Sequence, residues 1–291
     1  MSDHLRGLII TVFGVLFVVP DSLFVRLIDA DAVTIAFWRC LIAGGGLGLA
    51  ILLTRGTRPF RAVLATGIHG LIFMVGTGAS GALFVFAVSL TSVANVVFII
   101  ATMPLFASLF SRVFLGEPIS RRMWLTMAAV AAGLAVIAYG SGETANASLA
   151  GDALAVCVAA LFAGGLTAAR HVRHVSMVPG VAMALVAGAL VLLPVAAPFS
   201  VVPSQAPLVL GHGAFILFSS MLLALGPRYI ASAEVALLIL LESVLAPLLA
   251  WTVIGEDPGR YALVGGAIVV SALFVSNLVV LRRRRAPAAS G

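Results

Sequence analysis

The stretch SVANVVFIIATMPLFASLFSRVFLGEPISRR, residues 92–122, is an apolar run that ends in Gly116-Glu117 and a pair of arginines. A second stretch, ASAEVALLILLESVLAPLLAWTVIGEDPGR, residues 231–260, has the same form. The two are offset by 256 − 117 = 139 residues. At that offset Ala94 meets Ala233, Val96 meets Val235, Ala107 meets Ala246, Leu109 meets Leu248 and Arg121 meets Arg260. Matches of Ala and Leu are cheap in an apolar chain, but a repeated Gly-Glu-x-x-x-Arg is not. Each run has the roughly 20 apolar residues that a helix needs to cross about 30 Å of hydrocarbon. The chain therefore reads as two copies of one membrane-helix unit.

Working outward, further apolar runs fall at Leu8–Leu27, Val33–Leu53, Ala62–Leu90, Met123–Tyr139, Asp152–Arg170, Val178–Ala197, Pro207–Leu225 and Tyr261–Leu281. With Ser92–Phe114 and Ala231–Ile254 they make ten spans, five per copy. The third run is long enough to tilt or break, so nine or eleven spans is the alternative count. An odd number of spans forces the second copy to insert upside down. The expected fold is an all-α membrane protein of ten transmembrane helices, built as two inverted-topology five-helix repeats over residues 1–140 and 141–291. Secondary transporters use this design and bind solute between the halves near mid-membrane.

Composition excludes the soluble classes. The chain has 291 residues, of which 62% are hydrophobic and 10% charged, whereas a soluble domain carries roughly a quarter charged residues. The short loops leave no room for a soluble catalytic or regulatory domain. All the basic residues are arginine. A Walker A loop ends in Gly-Lys, so no ATP-binding motif is present and no ATPase subunit is expected. The net charge of +6 does not indicate nucleic acid, because four arginines form the terminal run Arg282 to Arg285 directly after an apolar segment. That is the place of an anchor against anionic lipid, so the bilayer is the expected partner. Cys40 and Cys157 lie inside apolar runs with no Cys or His at metal-ligand spacing. No metal, cofactor or catalytic residue is expected, and the protein reads as a non-enzyme.

The arginines also set the orientation. With the N-terminus inside, the even-numbered connections carry Arg55, Arg58 and Arg61, then Arg112, Arg121 and Arg122, then Arg170 and Arg173, then Arg228. Arg6 and the terminal run fall on the same side. The odd connections hold mostly acids: Asp29, Asp31, Glu143, Glu256 and Asp257, against Arg260 and nearby Arg26. This is the positive-inside pattern on short loops, and it places both termini in the cytoplasm.

The chain resembles the EamA-type family of the drug/metabolite transporter superfamily. The likeness rests on the paired helix–Gly-Glu–helix halves and on Phe24-Val25-Arg26 followed by Thr34-Ile35-Ala36-Phe37-Trp38-Arg39. It includes a mid-helix proline at Met103-Pro104, and it runs from about Gly7 to Leu281. The second half departs from the pattern: the family's Glu-Pro of the ninth helix appears as Glu242-Ser243, with Pro247 one turn later. The resemblance implies a ten-helix exporter of small metabolites, working by alternating access in a bacterial inner (plasma) membrane. It also implies a cavity lined by spans 1, 3, 4, 6, 8 and 9. Within the family the chain is most similar to the aromatic amino acid exporters, so the expected cargo is an amino acid or related small molecule. A multidrug exporter of lipophilic cations is the rival reading. A membrane-embedded enzyme would need clustered His, Asp or Ser at a membrane face, and only His171 and His174 approach this, without acidic partners.

Polar residues inside hydrocarbon are costly and mark pathways or pairs. Glu242 lies about twelve residues into its span, roughly 15–18 Å deep at 1.5 Å per residue. It reads either as a titrating or amine-binding group or as a protonated acid bonded to a neighbouring helix. Asp21 follows a kinking Pro20 and has Arg26 and Arg39 as candidate partners, in a structural ion pair or an outer gate. Glu234 and its repeat equivalent Asn95 sit near helix ends. The third span aligns His69, Phe73 and Thr77 on one face, and the fourth aligns Asn95, Phe98 and Ile99. These six and Glu242 are the candidate substrate-binding residues. Aromatic helix packing is the alternative for the rings, and an interfacial position is the alternative for His69. The Gly-Glu element reads as a cap, with the glutamate near the positive end of the next helix.

Overall fold

The computed structural model describes residues 3–140, 147–225, 229–230 and 232–285. Glu143 and Arg228 lie outside the described residues, as do the side chains of Glu234 and Arg282–Arg285. In chain order the helices are α1 (Asp3–Val18), α2 (Asp21–Leu27), α3 (Ala32–Arg55), α4 (Arg58–Leu64), α5 (Ile68–Leu90), α6 (Val93–Ile100) and α7 (Met103–Leu115). The first half closes with α8 (Arg121–Gly140). The second holds α9 (Leu149–His171), α10 (Val178–Leu192), α11 (Ala206–Leu225), α12 (Ser232–Ile254) and α13 (Arg260–Arg285). Among the described residues, eight segments are long and apolar enough to cross a membrane, counting α1–α2 and α6–α7 as one each. Val178–Leu192 and Leu238–Ile254 are shorter apolar helices.

Prolines and glycines place the breaks. Pro20 separates α1 from α2, since its ring has no N–H to continue the ladder. Pro104 follows the α6–α7 junction at Ala101 and Thr102. The long third run of the sequence is two helices, because Gly67 turns the chain at φ 63° between α4 and α5. Gly116 and Gly255, the paired glycines of the repeat, end α7 and α12 with φ of 68° and 70°.

The second half is inverted. Thr91 Oγ1 donates to Asp152 near the start of α9, and Arg26 near the end of α2 donates to the Thr91 carbonyl. The leading helix of the first half thus ends where that of the second half begins. Interhelix packing follows the same pseudo-two-fold: α5 packs on α9 as α1 does on α11, α3 on α11 as α5 does on α10, and α3 on α10 and α8 on α13 are their own counterparts.

Small residues hold these crossings, as they must where lipid removes the hydrophobic drive for helix association. A Cβ on Gly133 would lie 2.8 Å from the Gly265 carbonyl oxygen, and one on Gly265 would lie 2.6 Å from that of Gly133. Gly76 crosses α9 at Gly165, where a Cβ would meet the Leu161 carbonyl at 2.6 Å. Backbone cannot yield as a flexible side chain does. Gly265→Val is expected to destabilise the protein by roughly 1–3 kcal/mol through overpacking. Denaturant unfolding in detergent checks this, and an unchanged midpoint would show that the α8–α13 crossing is loose.

Candidate functional site

A charged cluster lies inside the bundle, on α2, α3, α5 and α11. The break at Pro20 puts Asp21 in the first turn of α2, where it is 3% exposed. Arg39 grips it with a two-point fork: Nε to Oδ1 at 2.9 Å and Nη2 to Oδ2 at 2.6 Å. The third guanidinium nitrogen donates to the Gly81 carbonyl at 3.2 Å, and the guanidinium carbon sits 5.4 Å from the Phe84 ring centroid. Forked, charge-assisted bonds of this kind are the strong ones.

The second half supplies His212, whose Nε2 is 2.6 Å from Asp21 Oδ1. With the proton on Nε2, the imidazole donates to the carboxylate. Nδ1 is then a buried acceptor without a hydrogen-bond partner among the described residues. Phe24 stacks on the imidazole at 5.4 Å and 17°, and Phe215 meets Phe24 edge-on. A Cβ on Gly211 would meet the Phe24 ring at 3.4 Å, an ordinary contact. Every polar atom of Asp21 and of the Arg39 fork is engaged, so these two residues form an ionic knot with His212 against it.

Glu242, on α12, lies within electrostatic reach of both Asp21 and Arg39. It is only partly buried, and its carboxylate has no hydrogen-bond or ion-pair partner among the described residues. One turn on, Pro247 has no N–H for the Ser243 carbonyl. A half-buried acid and a carbonyl released from the helix ladder therefore occur together on α12.

Two further sets occupy the ends of the bundle. At one end Arg26 Nε is 2.9 Å from Glu256, whose other oxygen accepts the Val93 N–H at 2.7 Å. Glu256 thus caps α6 of the opposite half rather than the helix that follows it. Its chain reverses at Gly255 and carries the side chain back over the bundle. Beside it Asp152 accepts from Thr91 and from Asn95 Nδ2, at 2.8 and 2.9 Å. At the other end Arg170 donates to Glu117 at 2.9 Å and to Ser111 at 3.2 Å. There the imidazoles of His69 and His171 stack 4.1 Å apart.

The candidate residues fall into three groups. Asp21 and Arg39 are paired in the knot, and Arg26 turns away from them to Glu256. Phe73, Phe98 and Ile99 are buried. A Cβ on Gly180 would touch the Phe73 ring at 3.0 Å, and one on Gly266 would meet the Phe98 ring at 2.3 Å. Thr77 is buried with a hydroxyl unpartnered among the described residues, Asn95 is tied to Asp152, and His69 sits at the Glu117 end. Sequence reasoning missed His212, although a histidine between two glycines in an apolar span is itself a signal. It also missed Asp152 and the partners of Glu117 and Glu256, which only the packing of the two halves brings together.

The sequence profile of the EamA-like transporter family matches residues 5–139 and again 149–278. No curated protein matches the chain in sequence. The fold is that of a solved crystal structure 20% identical in sequence, with a TM-score of 0.66 over 97% of this chain and 99% of that one.

Proposed function

Because the chain belongs to the EamA-like transporter family, we propose that it exports amino acids with aromatic or other hydrophobic side chains by alternating access. Members of this family are transporters of drugs and small metabolites, not enzymes. For such an exporter, residues 1–140 and 141–291 are two five-span repeats in a bacterial inner membrane, with both termini cytoplasmic. The solute lies between them, against Phe73, Thr77, Phe98, Ile99 and Glu242, with His69 and Asn95 on its path at the two ends of the bundle, and Asp21 and Arg39 fix the geometry of the walls.

One observation carries the reading: Glu242 is a half-buried carboxylate beside the Asp21–Arg39 pair, with no hydrogen-bond or ion-pair partner among the described residues. A charge in hydrocarbon is costly unless paired, so the group calls for an amine or a proton. A solute with an ammonium group and an apolar side chain supplies the charge and suits apolar walls. The same feature favours lipophilic cations as a second cargo class. Competition in proteoliposomes separates the two. Unlabelled phenylalanine should suppress uptake of labelled phenylalanine, while tetraphenylphosphonium and sugars should not. Saturable tetraphenylphosphonium uptake that ignores phenylalanine would replace the amino acid reading with the cation one.

Orientation has its own check. Reporter fusions after Arg6, Arg58, Arg121, Arg173 and Arg285 should all report cytoplasmic, and those after Asp31 and Asp257 should report the far side. A far-side signal at Arg121 or Arg285 would overturn the ten-span arrangement.

A further inference from the structure

The two end pairs are equivalent under the repeat. Glu117 and Glu256 each follow the left-handed glycine that ends the fourth span of a half. Arg26 and Arg170 each stand near the end of the first span of a half. Each bond joins one half to the other, and the two lie at opposite ends of the bundle. They are built unequally. The Arg26–Glu256 side chains are 21% and 5% exposed, and Glu256 also caps α6. The Arg170–Glu117 side chains are 58% and 47% exposed. They border a cavity of about 310 Å³ that Leu115, His171 and Arg173 also line. Packing shows the same imbalance. At the Glu256 end α6 packs on α13, with Phe98 over Gly266, but its counterpart, α12 on α8, has no contact of similar extent among the described residues.

We infer that Arg26–Glu256 and Glu117–Arg170 are the two latches of the carrier's gates, both made in this structure, with the exposed cytoplasmic one the first to part. This rests on the alternating-access reading and adds the residues that work it. A buried pair is expensive to break by removing one partner, whereas an exposed pair contributes little and parts readily. The cytoplasmic latch therefore opens to solute from inside, while the outer one holds until the halves rearrange.

The test needs no substrate. Glu242→Cys, in a Cys40→Ala and Cys157→Ser background, places one thiol between the gates. A membrane-impermeant maleimide then reads access from each face, in right-side-out and inside-out vesicles. The parent should react faster from the cytoplasmic face. Arg26→Gln removes the outer pair but leaves Glu256 free to cap α6. It should raise the outer rate about tenfold or more, as expected for loss of a buried pair. Arg26→Lys should stay near the parent. Arg170→Gln should raise only the cytoplasmic rate, by about two- to threefold, as expected for an exposed pair. An outer rate that Arg26→Gln leaves unchanged would overturn the proposal. So would Arg26→Lys reacting as fast as Arg26→Gln, or rates that rise equally at both faces. Absence of phenylalanine transport would leave these rates untouched, so the cargo reading and the latch reading fail separately.

Discussion

Arg39→Ala is expected to be the most damaging single substitution in the chain. It removes both bonds of the fork and leaves the Asp21 carboxylate buried against His212 alone. Breaking a buried pair from one side typically costs about 3–5 kcal/mol, because the remaining charge is uncompensated. The substitution also takes away the Gly81 bond and the cation over Phe84, so α3 loses its polar hold on α2 and α5 together. Denaturant unfolding of the purified protein in detergent reads the loss. The double variant Asp21→Leu and Arg39→Met separates structure from function. Replacing a buried pair by apolar groups of similar size is often neutral for stability, so this variant should recover much of the lost stability. It should remain without transport if the knot shapes the solute path. Recovery of transport along with stability would reduce the knot to a structural fastening.

Glu242→Gln is expected to do the reverse, sparing the fold while removing transport. Glutamine keeps the shape of the acid but neither charges nor titrates. Hydrogen bonds to a charged partner contribute about 1.5–3 kcal/mol, so losing the ammonium contact should reduce exchange by about ten- to a hundredfold. A carboxyl that gives up and regains a proton in each cycle also makes the rate depend on pH. That dependence should flatten in the glutamine variant over roughly pH 5.5 to 8. Normal insertion and an unchanged unfolding midpoint should accompany the loss. A wild-type rate and pH profile in Glu242→Gln would remove this residue from the mechanism and assign it to packing.

The fold was legible where physics acts along the chain. The hydrophobic runs and the Gly-Glu pair at a fixed offset are local signals, and each maps onto a helix or a turn. The break between α4 and α5 was visible only as excess length, because the positive φ of Gly67 is set by the path between two helices. The site was harder to read, since its bonds join residues far apart in sequence. Asp21 and Arg39 were nominated by charge, but the choice of Arg39 over Arg26 depends on the kink at Pro20 and on where Glu256 arrives. Spacing put Phe73 and Phe98 on mixed faces. It could not show that Gly180 and Gly266 lie under their rings. The Gly-Glu element was read as a local cap; its glutamates instead reach across to the other half, which no local pattern reveals.

The central claim, that the two halves alternately expose one site for small hydrophobic amino acids, is tested most directly by trans-stimulation. Proteoliposomes preloaded with unlabelled phenylalanine, and others preloaded with buffer, are compared for initial uptake of labelled phenylalanine. A carrier that reorients faster with solute bound should take up label faster into the preloaded vesicles, and uptake should saturate. Uptake that is linear in concentration and indifferent to internal phenylalanine, or no uptake above protein-free vesicles, would contradict the account.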